Sequence, residues 1–400
     1  MSIALLRKPA YFAGRELYFP RALDIENPKS QNALMHGRRN TMMEFRKAVL
    51  INDTSTKAHL GCRVVVAQIA ALAARAGMRI TATSSVHADW RTDQAFIETM
   101  RNSDIVIVNG EGTLHDSSRQ AKALAAVGPY CRSAGIPSVL INTVFERNDT
   151  DTADACRSFD LIFVRETRSA GHASHMGLNV NVVPDLTLSS DVMKNYRSYV
   201  AGSTFVVTDN ANAEVGRIAT EYALERDDVR FMNMNTSEAR NPFLEVNLRP
   251  DLVLMANGLT AEPAPPKHPE KVAYKAWRKA LLKSHMRRRA NMIIDLTRYR
   301  PSSEILDMVA RAKGVVAGRF HASCMSMLAG TPFAALTSNT SKTEGMLADA
   351  GMSHILATDP RQAFDVISRW KEADDAAVEI YIRRARNDAS AMFAEIRAIS

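Results

Sequence analysis

Short apolar runs alternate with amphipathic stretches along most of the chain, and that alternation predicts the fold. From Lys47 onward KAVLIN, RITATS, DIVIVNG, PSVLIN, DLIFVRE and NVNVVPD read as strands. The helical spacing near His59 to Ala76, Thr92 to Arg101 and Ser117 to Ser133 supplies the crossovers between them, as βαβ units require. A second series follows Asn195, with strands at STFVVTDN, DVRFMNM, DLVLMA, ANMIIDL, KGVVAG and TPFAALTS. Its helices fall near Asn212 to Glu225, Ser302 to Ala312 and Phe320 to Ala329. The expectation is an α/β protein of two doubly wound parallel-sheet, Rossmann-like domains facing a cleft. Residues 1–45 show little periodicity and read as an N-terminal arm, 46–195 as the first domain, 196–358 as the second, and 359–400 as two C-terminal helices. Those helices either cap the second domain or cross back to the first.

Composition agrees with a core-forming protein: 46% of the 400 residues are hydrophobic and 24% charged. The longest nearly uncharged apolar stretch, Val64 to Ala74, falls short of the roughly 20 residues a membrane span needs. The first residues lack the basic-then-apolar order of a secretory signal. A cytoplasmic protein is expected, touching the inner face of the membrane at most through its surface. Cys62, Cys131, Cys156 and Cys324 are far apart and form no C-x-x-C pair. They read as small core residues, with no disulfide framework and no metal-ligand spacing.

Charge is uneven. Eleven Lys or Arg stand against Glu270 and Asp295 between Lys267 and Arg300, which more than accounts for the net +8 of the whole chain. Over 267–289 the basic positions and Ala273, Trp277, Ala280 and Leu281 recur at helical spacing, so an amphipathic basic helix is predicted after a proline-stiffened linker. Three readings stand: a solvated face, a patch for an acidic glycan or anionic lipid surface, and a nucleic-acid footprint. The last is the weakest, because no nucleic-acid motif accompanies the charge.

Doubly wound sheets bind ligands at the carboxyl ends of their strands, so the candidate chemistry lies there. In KGVVAGRFHASCMSMLAGTPFAAL the strand ends at Gly318, and Arg319 and His321 follow beside the start of a helix. In extended chain both side chains point the same way, next to a helix N-terminus that favours an anion. The next turn, SNTSKTEGML, carries Ser338, Asn339, Thr340, Ser341 and Lys342, with Ser341 and Glu344 at capping-box spacing. Lys342 in a first helical turn is unfavourable unless an anion is near. In the first domain the turn DIVIVNGEGTLHD has Gly110 and Gly112, whose freedom lets backbone approach a ligand, with Glu111, Thr113, His115 and Asp116 at its edge. His115 occupies the place of a third glycine, which weakens a dinucleotide reading. For Thr113 and Asp116, turn and cap chemistry is the simpler account. Arg165 and Glu166 end one strand and Asp185 another, while Asp53, Lys57 and His59 occupy the loop after the first strand.

Through GEGTLH at Gly110, FVRE at Arg165, PDL at Asp185, and above all GRFHASCMSMLAGTPFAAL followed by SNTSKTEGMLADAG, the chain resembles the polysaccharide pyruvyl transferase family from about Lys47 to Leu356. The first loop reads INDTSTKAHLG rather than the family's more common glycine-asparagine-glycine-aspartate run, and Glu111 stands in the middle of the glycine turn. The resemblance implies a two-domain, GT-B-like enzyme that transfers the pyruvyl group of phosphoenolpyruvate to a sugar as a ketal, with no cofactor beyond that co-substrate. It also implies that Arg165, Arg319 and His321 contact phosphoenolpyruvate. Two arginines suit a carboxylate and a phosphate, and Ser341 and Lys342 add a second anion contact. An imidazole can deliver the proton that the methylene carbon needs. Glu111 or His115 is the candidate base, and Asp53, Lys57, His59, Gly110, Gly112, Asp185 and Asn339 are candidate acceptor or cleft residues. The expected partner is a glycan or lipid-linked oligosaccharide. The alternatives are a GT-B glycosyltransferase using a nucleotide sugar and a non-catalytic binder of acidic polymer built on the basic segment.

Overall fold

In the computed structural model, residues 45–196, 202–237, 276 and 298–399 are described. The first sheet comprises β1 (Arg46–Asp53), β2 (Met78–Ser85), β3 (Ile105–Glu111), β4 (Ser138–Thr143), β5 (Leu161–Val164) and β6 (Asn181–Val182), in the order β2-β1-β3-β4-β5-β6. The second comprises β7 (Phe205–Thr208), β8 (Val229–Met232), β9 (Gly314–Ala317), β10 (Phe333–Leu336) and β11 (Leu356–Ala357), in the order β11-β10-β9-β7-β8. Every pairing is parallel. The expected pair of doubly wound α/β domains is what the chain forms.

Each strand feeds two cores because successive side chains leave opposite faces. Val49, Ile51, Val106, Val108 and Leu140 pack on one side of the first sheet, and Ala48, Leu50, Ile105, Ile107 and Val139 on the other. In the second sheet Val206, Val315 and Ala335 face one core, while Phe205, Val207, Val316 and Ala334 face its opposite. An apolar run therefore reads continuously in sequence yet splits by parity in space.

Strand order places a switch point between β1 and β3, where the chain leaves β2 and returns on the far side, and another between β7 and β9. Two helices join the halves. The Leu60–Arg75 helix gives Leu60 and Val64 to the second sheet's core and Val65, Ile69 and Leu72 to the first sheet's. The 27-residue helix Glu372–Ala398 gives Val378, Tyr381 and Ile382 to the second and Met392, Phe393 and Ile396 to the first. Of the two fates open to the tail, it is this crossing back that occurs. Glu372, Asp374 and Asp375 in its first turn complement the helix dipole.

The segment expected over Ser117 to Ser133 is two helices, Arg119–Ala125 and Val127–Ala134, broken at Ala126. The strands expected at DLVLMA and ANMIIDL, the basic segment 267–289 apart from the exposed helical residue Ala276, and the arm 1–45 apart from Phe45 lie outside the described residues. No helix among the described residues is long and apolar enough to cross a membrane.

Candidate functional site

The two switch points face each other, and the side chains meeting between them come from both halves. On the first sheet, backbone in the left-handed region marks three successive strand ends: Asn52 (φ 65°) on β1, Glu111 (φ 42°) on β3 and Asn142 (φ 54°) on β4. Such positions favour Asn and glycine and disfavour Glu. The strain in the GEG turn thus falls on Glu111, not on the glycines expected to supply the flexibility. Gly110 is needed for close approach instead, because a Cβ there would overlap the Thr143 side chain of β4. Gly112 leaves open the space beside Arg165, whose Nη2 would lie 3.6 Å from a Cβ there. Glu111 is 5% exposed and accepts a hydrogen bond from Thr54 Oγ1 at 3.0 Å.

The loop after β1 is turn chemistry for one of its three candidates. Asp53 accepts from the Ser55 N–H at 2.9 Å and caps the short turn Thr54–Thr56. Lys57 is half-buried. His59 is the residue before the Leu60–Arg75 helix, and its Nδ1 is buried without a hydrogen-bond partner. Burial first, then the charges of His321, Arg319 and Lys57, hold its imidazole well below the usual histidine range.

Arg165 follows β5 and is 2% exposed. Its Nη1 donates to Asp185 Oδ2 at 3.0 Å, its guanidinium lies 4.5 Å from the centre of the Phe320 ring, and its Nε has no partner. Asp185 also accepts from the Thr187 N–H at 2.9 Å, so the cap and the charge partner are one residue. Burial alone would raise its pKa, but His321, Arg165 and the Thr187 N–H outweigh burial and hold its carboxyl well below the usual range. Glu166 caps the Thr167–His175 helix through the Ser169 N–H, and its carboxyl is pushed up by burial.

On the second sheet Arg319 is the N-cap residue of the Phe320–Ala329 helix and His321 the second residue within it. The pair expected to share one direction in extended chain is separated by the helix start. Arg319 turns to its own sheet, donating through Nε to Asp209 Oδ2 at 2.7 Å, with its side chain one-third exposed. His321 turns across to the first domain, 8% exposed, its Nε2 lying 3.8 Å from Asp185 Oδ1 without a hydrogen bond.

Lys342 opens the Lys342–Asp349 helix and folds back, its Nζ donating to Asn339 Oδ1 at 2.8 Å and Thr340 Oγ1 at 2.9 Å. Its pKa is pulled down to about 7 by burial, then by the nearby charges of Arg165 and Arg319. The capping box expected between Ser341 and Glu344 does not form. The Ser341 N–H and Oγ bond Glu146 of the first domain at 2.8 and 2.9 Å, because that carboxylate, 5% exposed, reaches the helix start first. A second seam contact joins the Thr167 N–H to Asp349 Oδ2 at 2.9 Å. His115 lies between Leu114 and Asp116, whose backbone groups bond that of Glu146, and its Nδ1 is 2.7 Å from Asp116 Oδ2. Asp116 is held at about 2, chiefly by hydrogen bonds from Arg147 and His115.

The structure thus brings Arg165, Asp185, His59, His321 and Lys342 into one mostly buried cluster, in which Asp185 pairs Arg165 and the carboxylates of Glu344 and Glu166 act on Lys342. Asp53 stays in its turn and His115 in its ion pair. Three residues with a part here escaped sequence reasoning: Asp209, Glu146 and Phe320. Asp209 carried a signal, since it directly follows β7 in TDN. The other two are defined only by what faces them.

A family model described as polysaccharide pyruvyl transferase matches residues 17–340. No curated protein sequence matches the chain significantly. Among solved structures, S. aureus MnaA with UDP is similar at 12% identity and TM-score 0.48, covering 87% of this chain and 94% of that one. Methanocaldococcus jannaschii UDP-GlcNAc 2-epimerase, in complex with UDP-GlcNAc and UDP, is similar at 13% identity and TM-score 0.47, covering 84% and 99%. Acinetobacter baumannii MurG is similar at 12% identity and TM-score 0.42, covering 88% and 100%.

Proposed function

The chain belongs to the polysaccharide pyruvyl transferase family, and from that premise we propose that it moves the pyruvyl group of phosphoenolpyruvate onto a sugar of a cell-surface or exopolysaccharide as a ketal. The observation that carries this reading is the convergence of three cations from both halves: the Arg165 guanidinium lies over the Phe320 ring, next in sequence to Arg319, and its neighbour Glu166 packs against Gly345 of the helix that Lys342 opens. Asp185 and Asp209 each pair one guanidinium, whose remaining N–H groups can serve an anion, and phosphoenolpyruvate brings a carboxylate and a phosphate.

In this mechanism Arg165 and Arg319 hold the two anionic groups, with Lys342 and the Ser341 hydroxyl on the phosphate side. His321 gives a proton to the methylene carbon, and C2 becomes electrophilic. One sugar hydroxyl adds to C2 as its proton passes to a base. A second hydroxyl then forms its bond to C2 as the C2–O bond to phosphate breaks, its proton returning to His321; phosphate leaves stabilised by the cations, and the ketal ring closes. Of the two candidate bases we favour Glu111, a carboxylate at the end of β3 that accepts from the Thr54 hydroxyl. His115 is committed to Asp116.

With Arg165 2% and His321 8% exposed, substrate reaches them when the two sheets part at the Ser341–Glu146 and Thr167–Asp349 contacts. Closure afterwards excludes water. The acceptor is a glycan or lipid-linked oligosaccharide, and the basic segment 267–289, near the inner membrane surface, would hold an acidic one.

Incubation with phosphoenolpyruvate and a panel of sugar acceptors, following phosphate release and a pyruvyl mass gain on the sugar, tests the reading. Isothermal titration completes it. Phosphoenolpyruvate should bind and nucleotide sugars should not, and the reverse would turn the assignment to a glycosyltransferase.

A further inference from the structure

We infer that His59, Cys62 and His321 form a binding site for a zinc-class divalent ion across the seam between the two halves of the molecule. One ring nitrogen of each histidine and the Cys62 Sγ all lie within 4.8 Å of one another. Tetrahedral coordination at ordinary zinc bond lengths needs ligand atoms roughly 3.5 Å apart, so side-chain rotations of about 1 Å complete the set. His59 and Cys62 are three residues apart at the start of one helix, which puts them on one face. His321 arrives from the first turn of the facing helix, over the bare surface of Gly61.

A second observation points to a ligand. His59 Nδ1 and His321 Nε2 are both buried with no hydrogen-bond partner among the described residues, and the two rings stand 5.4 Å apart. Buried polar atoms are nearly always satisfied, and two orphaned imidazole nitrogens next to a buried thiol are a donor set for a borderline-soft ion. Asp185 near His321, together with Glu111, whose charge reaches Cys62, supplies negative charge, against which stand Arg165, Arg319 and Lys57. Metal binding requires the neutral imidazole of each histidine and the Cys62 thiolate, so the buried thiol gives up its proton on binding. Three protein ligands leave a fourth position open.

This site goes beyond the transfer reading and is tested without substrate. When filled, the ion occupies the His321 nitrogen that would carry the proton and ties the Leu60 helix to the Phe320 helix, so zinc is expected to inhibit transfer.

The full-length chain, freed of metal by chelation, is titrated with Co²⁺ under reducing conditions. Wild type should bind one ion per chain and develop a sulfur-to-cobalt charge-transfer band with the visible bands of a four-coordinate site, both erased by one equivalent of Zn²⁺. Cys62→Ser should lose the charge-transfer band. His59→Gln and His321→Gln should each weaken binding by at least ~10-fold, the scale that even outer-shell partners carry. Circular dichroism confirms the fold of each variant. A wild-type chain with no such band overturns the inference, as does a band that survives in folded Cys62→Ser. If transfer is measured, Cys62→Ser should keep metal-free activity and escape zinc inhibition, so loss of metal binding and loss of the transfer reading remain separate results.

Discussion

Gly61 and His321 compete for one volume: a Cβ on Gly61 would overlap the His321 ring. The bare glycine lets the Phe320 helix bring its imidazole against the first domain. Gly61→Ala should therefore displace His321 by about an ångström and reduce turnover by ~100-fold. Phosphoenolpyruvate affinity, set largely by the arginines, should change less. Steady-state kinetics beside titration separates the two, and an unaffected kcat would remove His321 from the chemistry.

Direct removal of the proposed contacts should be at least as severe. Arg319→Ala and His321→Ala are each expected to lower kcat/KM by ~100-fold or more, the scale of a lost charge-stabilising or acid-base group. Phosphate release from phosphoenolpyruvate in the presence of acceptor is the readout. Asp209→Ala, which frees Arg319 from its ion pair, should act mainly through KM.

Arg165 and Asp185 are both buried, so breaking the pair leaves an uncompensated charge. Asp185→Asn should destabilise the chain by ~3 kcal/mol in urea unfolding. The folded carboxyl is held below its unfolded range, so this stabilisation is complete above about pH 4 and is lost as pH falls further. The difference between wild type and variant should be flat from neutral pH down to about 5 and shrink below about 4.

Lys342 gives a dependence of the same sign in a higher pH window. Its folded pKa, about 7, lies below the ordinary lysine value, so the cost of the buried charge is felt below pH 7. That cost is relieved as pH rises toward the unfolded value. At pH 8 the free amine is mostly neutral, and an arriving anion should return its proton. Titration of phosphoenolpyruvate in buffers of different ionisation enthalpy should show proton uptake at pH 8. Lys342→Met should abolish it, and equal uptake in the variant would assign the proton elsewhere.

The seam contacts offer a fifth handle. Glu146→Ala removes both bonds to Ser341, and Asp349→Ala removes the bonds to Thr167. Both should raise the KM for phosphoenolpyruvate several-fold; Asp349→Ala should leave overall stability within about 1 kcal/mol, as exposed polar contacts do, whereas Glu146→Ala, at a buried carboxylate, should cost more.

The sequence by itself determined the architecture, because apolar runs such as KAVLIN and DIVIVNG alternating with helical spacing leave few alternatives to parallel sheets. It also placed Arg165, Asp185, Arg319, His321 and Lys342 at strand exits or the first helical turns beyond them. Tertiary structure decided what each of them does. Arg319 and His321, two residues apart, part company at a helix start, one toward Asp209 and the other toward His59 and Cys62. Ser341 gives up the capping partner its spacing offered for Glu146, nearly two hundred residues away. Local propensity fixes elements through neighbours in the chain, whereas a partner across the seam is chosen by docking two separately folded layers, and no local pattern records it.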